Sequence, residues 1–282
     1  MKKPQLVVAF VATVSCFAIA FFLPRTNKTQ VGQNNPSSSS QVISTQSVLD
    51  GAKTALNASQ KISLLSIENQ LVRSKSKADS ILIYNQLSRF WADSAQRVEP
   101  YLYYTYSAAL LENSEKSLTF AAQQLVDNLT SPDAPPAILN WIATNAKVLL
   151  DKALIINPNN DSTKINLGAC YLFGNISDNP MQGILKVKEV VDKNPQNIYG
   201  QMMLGLGGKK SAQYPKAIER FTAILKLSPT NLEAMVNLAE CYELTNQEDL
   251  AIEWYTKMKI LVNNLAAKEA IEKRIKDLKK KK

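Results

Sequence analysis

A proline-marked motif returns along this chain at a spacing close to 34 residues, and nothing else in the sequence limits the possible folds so tightly. Ile156-Asn157-Pro158-Asn159-Asn160, Lys193-Asn194-Pro195-Gln196-Asn197 and Leu227-Ser228-Pro229-Thr230-Asn231 are three copies, and Val262-Asn263-Asn264 stands where a fourth would fall. The intervals are 37, 34 and 34 residues. A fixed period in the range of about 20–50 residues marks a stack of one repeated supersecondary unit.

The residues inside the period say how that unit packs. One copy carries Leu204-Gly205, Ala217, Phe221, Ile224 and Pro229; the next carries Leu238-Ala239, Tyr242, Ala251, Tyr255, Met258 and Asn263. The earlier copy opens on Leu167-Gly168 and Tyr171 and continues with Gly183, Val187, Val190 and Pro195, its three extra residues fitting a longer turn near Gly174 to Asn179. Ala146, Leu150, Ala153 and Pro158 match the second helix of a unit before that. Small residues let one helix lie close against its neighbour, and large ones a turn away fill the space beside them. Proline stops the second helix because it has no N–H to continue the ladder. The asparagine that follows can cap the next helix.

This pattern resembles the tetratricopeptide repeat (TPR), a pair of antiparallel helices. The resemblance implies an all-α TPR helical-hairpin solenoid over residues 137–264. Residues 265–282 lack the small-residue pattern and read as a capping helix with a lysine-rich tail, covering the last apolar face as a solenoid requires. Upstream the match weakens. Residues 47–136 read as irregular TPR-like helices: one or two over 46–73, one over 76–96, a break at Glu99-Pro100, then 101–113 and 116–129 before a loop from Ser131 to Pro136. No stretch reads as strand.

Ahead of this body stands a segment of another kind. Leu6 to Leu23 is eighteen residues without a charge, preceded by Lys2 and Lys3. At about 1.5 Å per residue it and its flanks just cross a ~30 Å hydrocarbon core. Residues 1–24 therefore read as a single transmembrane signal-anchor. The apolar run is longer than a cleaved signal needs, and it continues through Phe21 and Phe22 beyond the best small-residue site, Ala18-Ile19-Ala20. Cleavage stays open as the alternative. The positive charges slightly favour a cytoplasmic amino terminus and so a body outside the cytoplasm; the overall resemblance to anchored TPR proteins of bacterial envelopes implies the periplasmic side. Residues 25–46, rich in Ser, Asn and Gln, read as a disordered linker.

Charge and composition then exclude several functions. The net charge is +9, but residues 1–45 hold +4 of it and residues 273–282 hold +6, leaving the body near −1. A nucleic-acid surface needs a basic stripe on the body, so none is expected. The chain has no histidine and only 9 glycines, which excludes Ser-His-Asp chemistry, His-ligated metals and glycine-rich phosphate loops. No catalytic, cofactor or metal site is expected. Cys170 and Cys241 read as small buried residues. Tyr101, Tyr103, Tyr104 and Tyr106 read as helix packing rather than base stacking, for no basic residue stands among them.

What remains is the surface that a TPR array forms with the first helix of each repeat. The resemblance assigns the second, fifth and ninth positions to it: Ser162, Ile165 and Ala169; Tyr199, Met202 and Leu206; Glu233, Val236 and Glu240. Ile165, Tyr199, Met202, Leu206, Val236 and Glu240 are the expected partner-binding residues, an apolar, methionine-containing face suited to a helix or an extended apolar segment. Chaperone-binding relatives grip a terminal carboxylate with a lysine and asparagines; here the fifth positions are Ile165, Met202 and Val236, and Asn166 and Asn237 alone do not make that clamp. Other helices of the same chain are the alternative occupants of the groove. The expected function is a non-catalytic, membrane-anchored scaffold for a protein or peptide partner; the alternative is an accessory or assembly subunit docking an envelope enzyme complex.

Overall fold

The computed structural model describes residues 43–131, 134–177 and 179–281. The expected membrane segment and most of the linker lie outside the described residues, and no helix among those described is long and apolar enough to cross a membrane. Among the described residues there are thirteen α-helices, one π-helical turn and no strand. The helices are α1 (Thr45–Thr54), α2 (Ala58–Arg73), α3 (Lys77–Arg89), α4 (Val98–Glu112), α5 (Glu115–Asp127), α6 (Pro136–Ile156) and α7 (Asp161–Phe173). They continue as α8 (Met181–Lys193), α9 (Ile198–Lys210), α10 (Tyr214–Leu227), α11 (Leu232–Leu244), α12 (Glu248–Leu261) and α13 (Leu265–Lys281). They form two compact units that part within α9, one ending at Met203 and one beginning at Leu204.

In the first unit, α3 packs on α4, α5 on α6 and α7 on α8, and each hairpin also meets the next. α1 lies against α4, and the Trp141 indole N–H of α6 donates to the Thr45 hydroxyl at 3.0 Å. Leu87, Trp91, Leu102, Leu118, Leu125, Leu149, Leu150 and Ile165 are its fully buried large residues. In the second unit, α10 and α12 both pack on α11, and α13 packs on α12. Phe221, Ile224, Leu238 and Ile271 are buried there.

The repeated asparagine explains why the period is visible. In the four copies Asn160, Asn197, Asn231 and Asn264 accept a hydrogen bond through Oδ1 from the backbone N–H of Thr163, Gly200, Ala234 and Ala267, at 3.0, 2.9, 2.8 and 3.0 Å. Each satisfies one of the donors that a helix start leaves without an intrahelical partner. Pro158, Pro195 and Pro229 each follow the last residue of a second helix by two positions. Stop and start signals thus sit within five residues of each other, and the sequence repeats them.

Two expectations upstream need correction. Residues 76–96 are not one α-helix: α3 gives way at Phe90 to a π-helical turn over Phe90–Ser94. The wider turn lets the adjacent residues Phe90 and Trp91 both point inward, at 8% and 0% exposure, which an α-helix spaces about 100° apart. Nor do Glu99 and Pro100 break the chain. They stand in the first turn of α4, where a proline's missing N–H removes no intrahelical bond. The break comes earlier, at Gln96, whose φ of 52° turns the chain between the two helices.

Candidate functional site

The close approach of paired helices sets the position of everything on their exposed faces. Gly168 of α7 and Gly183 of α8 face each other so tightly that a Cβ on Gly183 would stand 2.5 Å from the Gly168 carbonyl oxygen. A Cβ on Gly168 would stand 2.5 Å from Val187 Cγ2. At the matching place in α9, a Cβ on Gly205 would stand 2.6 Å from the Phe221 ring. These are the small–large pairs of the repeat. They hold the second helix close against the first.

The structure separates the six expected binding residues into three kinds. Ile165 is fully buried, and Met202 and Val236 are also buried, so the fifth positions are core rather than open groove. The physical reason shows at Gly200, where an added Cβ would lie 3.5 Å from Ile165 Cδ1: α9 closes over the fifth position of α7. Tyr199 and Leu206 are half-buried. Glu240 is held within the fold, its carboxylate paired with Lys209, whose ammonium also donates to Asn237 Oδ1 at 2.8 Å. Ile165, Tyr199 and Met202 belong to the first unit, and Leu206, Val236 and Glu240 to the second.

A polar ladder crosses three successive first helices of the first unit, and sequence reasoning missed it. The Tyr199 hydroxyl of α9 donates to Asn166 Oδ1 of α7 at 2.5 Å. Asn166 Nδ2 donates in turn to Gln123 Oε1 of α5 at 2.7 Å, and Gln123 Nε2 donates to Asp127 Oδ1 at 2.6 Å. Asn166 is buried, while Gln123 and Tyr199 keep part of their surface open. Gln123 is the ninth residue of α5, the same register as the expected site. The weak repeat signal upstream concealed it. Asn166 is the next residue after Ile165, and its type alone does not show that it bridges two helices.

The second unit carries a charged counterpart. Lys209 of α9 reaches Glu240 of α11, and the Arg274 guanidinium of α13 grips Glu243 of α11 through both Nε and Nη2. The Glu243 carboxylate raises the pKa of Arg274, stabilising its charged form. Cys170 and Cys241 are buried free thiols, as expected of them; burial pushes Cys170 up to about 12 and Cys241 up to about 11. Among the described residues no three His, Cys, Asp or Glu side chains gather in a group that could hold a metal.

Comparison with known proteins locates the repeat in sequence. Residues 210–260 match the family model described as tetratricopeptide repeat. The curated proteins yield no match to the chain. Among solved structures, a thermophilic TPR protein of Thermus thermophilus aligns at 17% identity with a TM-score of 0.49, over 72% of this chain and 98% of its own. YrrB, described as a TPR protein with an unusual peptide-binding site, aligns at 17% identity and 0.42, over 73% and 97%. MamA of Desulfovibrio magneticus aligns at 19% identity and 0.43, over 66% and 96%. The chain is therefore an all-helical repeat protein that carries tetratricopeptide repeat sequence over residues 210–260.

Proposed function

We propose that the chain is a non-catalytic scaffold, anchored in a membrane by residues 6–23, that holds a protein or peptide partner on the first-helix faces of its repeats. The observation that carries this reading is the Gln123–Asn166–Tyr199 ladder. The partly exposed Gln123 and Tyr199, fixed in position by the buried Asn166, present polar side chains suited to the main chain of an extended segment. The half-buried Tyr199 ring supplies apolar contact within the same unit, and Leu206 is a half-buried apolar residue of the second. Ile165 and Met202 are buried packing residues of the same unit as Tyr199.

The anchor rests on eighteen uncharged residues between Lys2-Lys3 and Arg25, and the balance of positive charge favours a body outside the cytoplasm. Photo-crosslinking residues introduced at Gln123 and Tyr199, in solubilised membranes, test the binding face. Both positions should capture one partner that a position on the opposite surface, such as Leu185, does not. Capture at Leu185 alone would move the binding surface to the second helices. Recovery of one enzyme in equal amount would make the chain an accessory subunit rather than a general scaffold.

A further inference from the structure

The outer faces of α13 and α2 are finished differently. α13 turns Ala267, Ile271 and Leu278 inward and shows Glu269, Lys273, Lys276 and Lys280 to solvent, the polar outer face that a terminal helix needs. α2 does not follow that rule. Its inner face, Leu64 with Ile67 and Leu71, packs into the cluster around Leu87 and Trp91. Its outer face carries Ile62, Leu65 and Val72 at 72%, 57% and 85% exposure. At about 100° per residue these three fall within about 80° of arc, with only Ala58 and Asn69 between them. Lys61 borders this stripe on one side and Arg73 on the other, and Lys75 and Lys77 follow, all exposed. An aliphatic stripe fringed by cations on both sides has the form of a helix lying in a lipid interface.

We propose that the outer face of α2 docks on an anionic lipid surface, seating the first unit against the membrane. The proposal rests on the anchor reading for its proximity. Residues 24–44 join Leu23 to α1. Twenty-one residues span at most about 70 Å however they are arranged, so the face never travels far from the bilayer and a contact of low intrinsic affinity suffices. A second copy of the chain fits the same face poorly. Three aliphatic side chains offer on the order of 200–350 Å², against about 800 Å² per partner in a stable interface. A two-fold contact through this stripe would also set Lys61 and Arg73 of one copy near those of the other. Acidic headgroups complement the same cations.

The test uses the full chain carrying Cys16→Ser and Leu65→Cys, labelled with an environment-sensitive fluorophore and reconstituted into phosphatidylcholine vesicles with or without phosphatidylglycerol. With the acidic lipid, emission should shift to the blue, brighten several-fold and be quenched by lipids bearing a shallow nitroxide. A label at Glu219→Cys, on an exposed position of α10, should stay accessible to aqueous iodide. Adding Ile62→Glu and Val72→Glu should return the Leu65 label to its aqueous emission. A Leu65 label that stays aqueous in acidic vesicles overturns the proposal. So does crosslinking of two copies through the substituted cysteines, which would assign the face to a dimer. Equal protection in both vesicles overturns the requirement for acidic lipid. Extraction of the same vesicles with alkaline carbonate reads the anchor separately: release of a chain whose label had reported lipid removes the anchor and leaves the docking face standing.

Discussion

At the scale of single residues, the repeat is legible because its small positions leave no room for anything larger. Gly183 is one such position, since an added Cβ would meet the Gly168 carbonyl oxygen at 2.5 Å, and that backbone atom cannot swing aside. Gly183→Ala should lower stability by about 1–3 kcal/mol, the usual cost of overpacking, seen as a lower urea midpoint. Gly51 provides the opposite case. It lies inside α1 with nothing within 4 Å of a would-be Cβ. Gly51→Ala should stabilise by about 0.5–1 kcal/mol, because alanine loses less backbone freedom in a helix. Loss of stability in both variants would mean that helix propensity and close approach have been confused. The cysteines yield a second prediction. Burial holds the Cys170 thiol up to about 12 and the Cys241 thiol up to about 11. Both should resist alkylation near pH 8.5, where a free thiol is about half ionised, and react only on unfolding. Rapid labelling of either in the folded Cys16→Ser chain would contradict the packing described for α7 or α11.

At the scale of helices, the sequence showed where elements lie more clearly than what covers them. The capping asparagines Asn160, Asn197, Asn231 and Asn264 mark helix starts by local chemistry, which a sequence displays directly. Whether the fifth position of a first helix faces a groove or a neighbour depends on how near the next helix comes. That is tertiary information, and it decides that Ile165, Met202 and Val236 are core. Trp91 and Pro100 misled for a related reason: a π-helical turn and a first-turn proline leave the same residue pattern as a helix and its break. The polar ladder gives these statements a measurable consequence. Tyr199→Phe keeps the ring but removes the hydroxyl that donates to Asn166 Oδ1. Leaving a buried acceptor short of a partner should cost about 1–3 kcal/mol. Met202→Asp should cost more, since it would bury an unpaired carboxylate. A Met202→Asp chain with unchanged thermal melting would return that residue to the open face.

Across the whole molecule, charge and stability are both distributed unevenly. The positive charge gathers in residues 1–45 and 273–282, around a body near −1. Electrostatic attraction therefore acts at the ends of the chain, with the fringe of α2 as the exception on the body. Stability is local for a different reason. Most helix contacts in each unit join elements adjacent in the chain, such as α11 with α12 and α12 with α13, or α5 with α6 and α6 with α7. In such an array an interface is felt mainly by its nearest neighbours, and segments open separately. Ala251 of α12, fully buried, is a suitable place to perturb this. Ala251→Leu should overpack the α11–α12 contact by about 1–3 kcal/mol. In native-state hydrogen exchange, amides of residues 232–261 should lose protection by the corresponding factor, roughly 5- to 150-fold, while those of residues 77–127 hold theirs. Loss spread evenly over both stretches would show that the chain opens as one cooperative body, and the nearest-neighbour account of its stability would fall.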